Sequence, residues 1–118
     1  MDIALTTEAG RHPAVFARAF NSGDPDLVEA VYETRGVLVP EPGRPVTGAD
    51  RRAANRAFQG LGRPIDVRPR HVYVAGDLAL LIVDWTIGED VRGTATDVAR
   101  RGADGKWRYV IDNPFGVA

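Results

Sequence analysis

The stretch LALLIVDWTIGEDVRGTATDVARRGADGKWRYVID, residues 78–112, decides the fold. It reads as three apolar, strand-like runs, Leu78–Ile87, Arg92–Arg101 and Trp107–Asp112, separated by short glycine-bearing turns, which is the pattern of an antiparallel meander. Each run carries one aspartate: Asp84, Asp97 and Asp112. A hairpin with Gly88 opposite Gly93 sets Asp84 opposite Asp97. The pair Asp104 and Gly105 suits a tight turn with positive φ, and it sets Ala103 opposite Lys106 and Asp97 opposite Asp112. The expectation is a row of three carboxylates on one sheet face. Opposed side chains there lie about 5 Å apart at Cβ, where like charges destabilise unless a proton is shared or a cation intervenes.

Upstream, the strand pattern extends to Ile65–Val74, and before Pro64 it gives way to helical spacing. Val15, Phe16, Ala19 and Phe20 predict a helix over Pro13–Asn21, with Gly23 as its stop. Asp24 followed by Pro25 reads as an N-cap and first turn, and Leu27, Val28, Val31 and Tyr32 as the stripe of a second helix. Gly36–Pro40 is a short β-branched run, and Glu41, Pro42, Gly43, Arg44 and Pro45 read as a loop. Thr47 with Asp50 resembles a capping box for a third helix carrying Ala53, Ala54, Ala57, Phe58 and Leu61 and ending at Gly60 or Gly62. Helices first and strands afterwards predict one α+β domain over residues 1–118.

The chain has 118 residues, 44% hydrophobic and 26% charged, with a net charge of −1. That balance gives no electrostatic footprint for nucleic acid or an anionic membrane. Cysteine is absent, so disulfides and thiolate metal sites are excluded. With no leader-like start and no spanning apolar run, the expected location is the cytoplasm. Lys106 is the only lysine, so arginines supply nearly every fixed counter-charge. The alternation places Leu81, Val83, Trp85 and Ile87 on one face with Val98, Trp107, Tyr109 and Ile111, and Leu80, Ile82, Val110, Ala95 and Ala99 on the acidic face. Three helices cannot cover both faces, so the face with Trp85 and Trp107 is expected to meet a second copy in a homodimer.

The helix hairpin from Phe16 through Asp24, the segment Gly43–Gly48, the meander reaching Gly105, Lys106 and Trp107, and the closing phrase from Val110 to Gly116 together resemble the nuclear transport factor 2-like superfamily. That superfamily includes ketosteroid isomerase, limonene epoxide hydrolase and the SnoaL-like cyclases, and the closing phrase is most similar to a bacterial subfamily. The resemblance implies a cone-shaped, cystatin-like α+β fold, with about three N-terminal helices on a strongly curved antiparallel sheet. It also implies a pocket. Asp97 matches the oxyanion-hole aspartic acid of the isomerases and a catalytic aspartate of the hydrolases; Asp112 matches the second hydrolase aspartate and the acid/base aspartate of the cyclases. Phe16 stands where the isomerases have a tyrosine, Pro40 near their general base, and Ala95 where the hydrolases have an arginine.

The candidate catalytic residues are therefore Asp97, Asp112 and Asp84, and the candidate substrate-binding residues are Phe16, Phe20, Asn55, Phe58, His71, Ile82, Val110 and Asn113. A neutral aspartic acid can donate to a developing oxyanion while its ionised neighbour takes a proton, and such a site needs no cofactor. The same carboxylates could equally be tied up by Arg70, Arg101, Arg108 or backbone amides in a rigid polar layer. Neither His12 nor His71 belongs to a spaced ligand pair, so no metal is expected. Two functions stay open. One is a cofactor-independent isomerase, cyclase or hydrolase acting on a compact apolar oxygenated substrate, and the other is a noncatalytic ligand-binding or protein-interaction module.

Overall fold

The computed structural model describes residues 2–118. Helix α1 spans His12–Asn21, α2 Pro25–Ala30 and α3 Gly48–Gln59; strands are β1 Tyr32–Glu41, β2 Arg44–Val46, β3 Ile65–Ala75, β4 Leu78–Ile87, β5 Val91–Arg101 and β6 Trp107–Asp112. One six-stranded sheet runs in the order β2-β1-β6-β5-β4-β3. The meander β3 to β6 is antiparallel as expected, but β1 joins it parallel to β6, which makes the sheet mixed. No helix among the described residues is long and apolar enough to cross a membrane.

Local chemistry sets the helix ends. Pro13 sits in the first turn of α1, and Asp24 caps α2 by accepting the Asp26 N–H. Thr47 precedes α3 with extended backbone, yet its hydroxyl makes no capping bond, so the predicted capping box is not formed. The second helix stops at Ala30, and Tyr32 begins β1 instead of ending a helical stripe. Arg44 and Pro45, read as loop, form the edge strand β2 together with Val46.

Register decides which face each aspartate takes. Ile87 pairs with Val91 across the loop Gly88, Glu89 and Asp90, so Asp84 faces Thr94 and Asp97 faces Leu81. This lies three residues from the pairing expected for Gly88 with Gly93. An odd shift moves a strand's side chains to the opposite face. Asp84 therefore points outward with Leu80 and Ile82, while Asp97 points inward with Leu81 and Val83. In the next hairpin Arg101 pairs with Trp107, not Ala103 with Lys106. Between Ala99↔Tyr109 and Val98↔Ile111 an extra β6 residue, Val110, forms a bulge. Strict alternation would turn Asp112 away from Tyr109's face; the bulge brings both inward.

The helices cover the inner face. Leu81, Val83, Trp85, Ile87, Trp107 and Tyr109 share one core with Val15, Ala19, Phe20, Leu27 and Val28. Trp85 and Trp107 are 6% and 3% exposed within a single chain, so the face assigned to a dimer contact is the protein's own core. The apolar residues left outside run across the other face in the paired row Tyr73, Leu80, Val98, Ile111 and Val37.

Candidate functional site

The curved sheet and α1 and α3 enclose an apolar cavity. Its volume is about 50 Å³. Aromatic walls come from Phe16 and Phe20 on α1, Phe58 on α3 and Trp85 on β4, joined by aliphatic side chains of β3 and β4. Polar groups meet the cavity at Asp97, Asp112, Asn55 and Tyr109.

Asp97 and Asp112 are 3% and 7% exposed, and their buried carboxyls are neighbours that influence each other's ionisation. Burial, followed by the negative charge of Asp112, holds the Asp97 carboxyl well above the usual range. Opposing this, the Asn113 backbone N–H donates to Asp97 Oδ1 at 2.9 Å. Burial also raises Asp112, but the Tyr32 hydroxyl, the Asp97 carboxyl and the Arg51 charge favour its ionised form. Burial thus raises both carboxyls, and the two titrate as one coupled pair.

A polar chain extends behind the pair. The Tyr32 hydroxyl donates to Asp112 Oδ2 and accepts from Asn55 Nδ2 at 3.2 Å. The Arg51 guanidinium lies over the Tyr32 ring, 4.5 Å from its centroid, and pairs with Glu29 at 2.8 Å. Burial and Asp112 push the Tyr32 hydroxyl's pKa up, so tyrosine remains a donor. Burial and the two aspartates do the same for Tyr109, and no hydrogen bond contributes there. His12 packs edge-on against Tyr109, its Nε2 lies 3.1 Å from the Val31 carbonyl, and burial lowers its pKa to about 4.

Six of the predicted residues meet here: Asp97, Asp112, Phe16, Phe20, Asn55 and Phe58. Asp84 does not. It lies on the outer face, where the Thr94 hydroxyl and then Arg70 hold its carboxyl below the ordinary range. His71 is exposed on the same outer face, opposite Ile82, and stacks on Tyr73. Ile82 and Val110 do not line the cavity; the first alternates outward and the second is the bulge residue. Asn113 acts through its backbone, while its side chain donates to Thr96 Oγ1 and the Gly116 carbonyl at 2.9 and 2.8 Å. Arg101 and Arg108 pair with Asp77 and Asp104, so neither neutralises the acidic pair.

Sequence reasoning missed Tyr32, Tyr109 and the pocket role of Trp85. Tyr32 was masked because Leu27, Val28, Val31 and Tyr32 keep helical spacing through the turn that ends α2. Trp85 and Tyr109 were assigned to the wrong side of the sheet by the register. Among the described residues no group of three or more His, Cys, Asp or Glu side chains gathers as a metal-ligand set.

Residues 14–110 match the family described as the SnoaL-like domain. Among solved structures, a proposed calcium/calmodulin-dependent protein kinase type II association domain from Thiobacillus denitrificans is 25% identical, with 98% of this chain and 99% of that chain covered and a TM-score of 0.76. An NTF2-like protein with a cystatin-like fold from Novosphingobium aromaticivorans is 22% identical over 89% of this chain and 77% of its own, TM-score 0.66. A proposed ketosteroid isomerase from Parabacteroides distasonis is 22% identical over 92% and 88%, TM-score 0.61. The last two establish a shared fold: three helices on a curved sheet, NTF2-like and cystatin-like. None of the curated proteins matches the chain.

Proposed function

Since the chain belongs to the SnoaL-like domain family, we propose that it is a pocket enzyme performing acid/base isomerisation, cyclisation or hydrolytic opening on a compact apolar molecule with at least one polar oxygen. The observation that carries this reading is the pair of buried carboxyls, Asp97 and Asp112, at the polar end of an apolar, aromatic-walled cavity. Asp97 would donate its proton to the substrate oxygen as negative charge develops there, and Asp112 would accept a proton from carbon or water. In isomerisation Asp112 returns its proton to a different carbon as Asp97 takes back the enol proton, which restores both groups; in hydrolytic opening a proton passing from Asp112 to Asp97 does so. Both halves of the transfer come from the pair, so the reaction class takes no cofactor. Phe16, Phe20 and Phe58 would hold the hydrocarbon part, and Asn55 the Tyr32 hydroxyl that orients Asp112.

The test is a panel of small β,γ-unsaturated ketones, β-hydroxy ketones and epoxides, followed by product analysis with wild type, Asp97→Asn and Asp112→Asn. Turnover of at least one class, lost in both variants, is the expected result. Binding without turnover of any class would favour a noncatalytic module.

That second reading has its own support. The outer row of Tyr73, Leu80 and Ile111, 56%, 40% and 39% exposed, is an apolar stripe without a cover in one chain. The Thiobacillus protein at 25% identity is described as an association domain. We propose a homodimer through this outer stripe, not through Trp85 and Trp107, and cytoplasmic residence. Sedimentation at micromolar concentration should give two chains per particle, and Leu80→Glu should give one; a wild-type monomer would sink the dimer.

A further inference from the structure

The cavity gathers two carboxyls and no cationic side chain. Asp97 and Asp112 face an otherwise apolar space whose lining includes no arginine, lysine or histidine. The nearest guanidinium, Arg51, lies behind the Tyr32 ring, where Glu29 and the carbonyls of Glu33 and Gly36 engage it at 2.8, 3.0 and 2.8 Å. Arg51 favours an ionised Asp112 from outside the cavity, where it is itself paired with Glu29. His12, the basic side chain packed against Tyr109, is held neutral by burial. On the outer surface Arg70, Arg100 and Arg108 are paired with Asp84, Glu33 and Asp104.

A second observation points to a ligand. Tyr109 is 3% exposed, lines the cavity, and has a hydroxyl to which no protein hydrogen bond contributes. A buried hydroxyl ordinarily has a partner, so this one is open to a ligand atom. The surrounding walls of Phe16, Phe20, Phe58 and Trp85 are aromatic, and ring quadrupoles attract cations. In such a low-dielectric space a ligand carboxylate would place an anion beside two carboxyls with no cation to offset it, whereas an ammonium would favour the ionised form of Asp112.

We propose that the cavity selects its ligand by charge, taking a compact hydrophobic ammonium ion in preference to a neutral compound of the same shape and rejecting the corresponding carboxylate. The ammonium would sit against Asp112 with its hydrocarbon part among the phenylalanines. This rests on the pocket reading above and narrows its substrate class to molecules that carry, or develop, positive charge near the polar end.

Three probes of one shape separate the possibilities: cyclohexylammonium, cyclohexanol and cyclohexanecarboxylate, titrated at pH 7 and followed by NMR. The Trp85 indole N–H, bonded to the Pro114 carbonyl at 2.7 Å, reports from the cavity wall, and Trp107, which does not line it, is the internal control. The expected order is cyclohexylammonium at least tenfold tighter than cyclohexanol, with the carboxylate weakest. Asp112→Asn should abolish the difference between ammonium and alcohol, and Asp97→Asn, which keeps the Asp112 charge, should preserve it. Should Asp112→Asn fail to fold, wild type at a pH low enough to protonate both carboxyls should lose the preference in the same way. Cyclohexanol binding as tightly as the ammonium would overturn charge selection and leave the pocket reading standing. No binding by any of the three would overturn both.

Discussion

Asp84 and Asp97 are the same residue type on neighbouring strands of one sheet, and they differ only in the face they take. Asp84, outside, accepts hydrogen bonds from Arg70 at 3.1 and 2.7 Å and from Thr94 at 2.7 Å, and its carboxyl is held below the ordinary range. Asp97, inside, has no cation beside it, and burial followed by the neighbouring Asp112 carboxyl holds its own carboxyl above that range. The loop Gly88, Glu89 and Asp90 creates the difference by setting the β4–β5 register. A surface ion pair and a proton-sharing acid are thus built from one side chain by strand parity.

Substitutions on the two faces should separate accordingly. Asp112→Ala is expected to cost most, because it leaves the Tyr32 hydroxyl and the Asp97 proton buried without an acceptor. Each such loss is worth about 1–3 kcal/mol, so a fall of about 3 kcal/mol in unfolding free energy is expected from chemical denaturation. Tyr32→Phe removes one hydrogen bond to the pair and should cost about 1–2 kcal/mol. It should also raise the Asp112 pKa, since the lost bond favoured the carboxylate. No change in either quantity would detach Tyr32 from the site.

Asp97→Asn should have a smaller and opposite effect. A carboxyl whose folded pKa is raised contributes stability fully below its unfolded pKa, about 3.9, and that contribution is lost as pH rises through the folded value. Asparagine keeps the donor and the acceptor of the Asn113 N–H without that loss. The variant's melting temperature should equal or exceed wild type at neutral pH, and any advantage should vanish below about pH 4. A large destabilisation at neutral pH would show that Asp97 is ionised in the folded protein. Asp84→Asn, on the outer face, should leave the melting temperature nearly unchanged, because exposed ion pairs contribute little.

Much of this architecture was legible in the residues, for identifiable reasons. Leu78–Ile87 and Trp107–Asp112 are strand-like apolar runs bounded by glycine-bearing turns, so those strand boundaries agree with the structure. Turn geometry was harder to read. Gly88 has φ +63° and opens a three-residue loop, and Gly105, at φ +78°, closes a longer turn than the Asp-Gly pair suggests. The first misreading sent Asp84 to the wrong face. The second was offset at Asp97 and Asp112 by the Val110 bulge, a one-residue irregularity without a glycine or proline to announce it. Tyr32 was hidden by helical spacing that runs past the end of α2, and β1's parallel insertion beside β6 is a long-range contact that no local pattern records.

Carboxyl-detected NMR titration of the wild-type protein, with Asp84→Asn, Asp97→Asn and Asp112→Asn for assignment, tests the central claim most directly. The account predicts that Asp97 and Asp112 titrate as a coupled pair in two separated steps, one of them above the usual carboxylate range, while Asp84 titrates alone and below it. Three independent titrations in the ordinary carboxylate range would contradict the shared proton and, with it, the acid/base reading of the pocket.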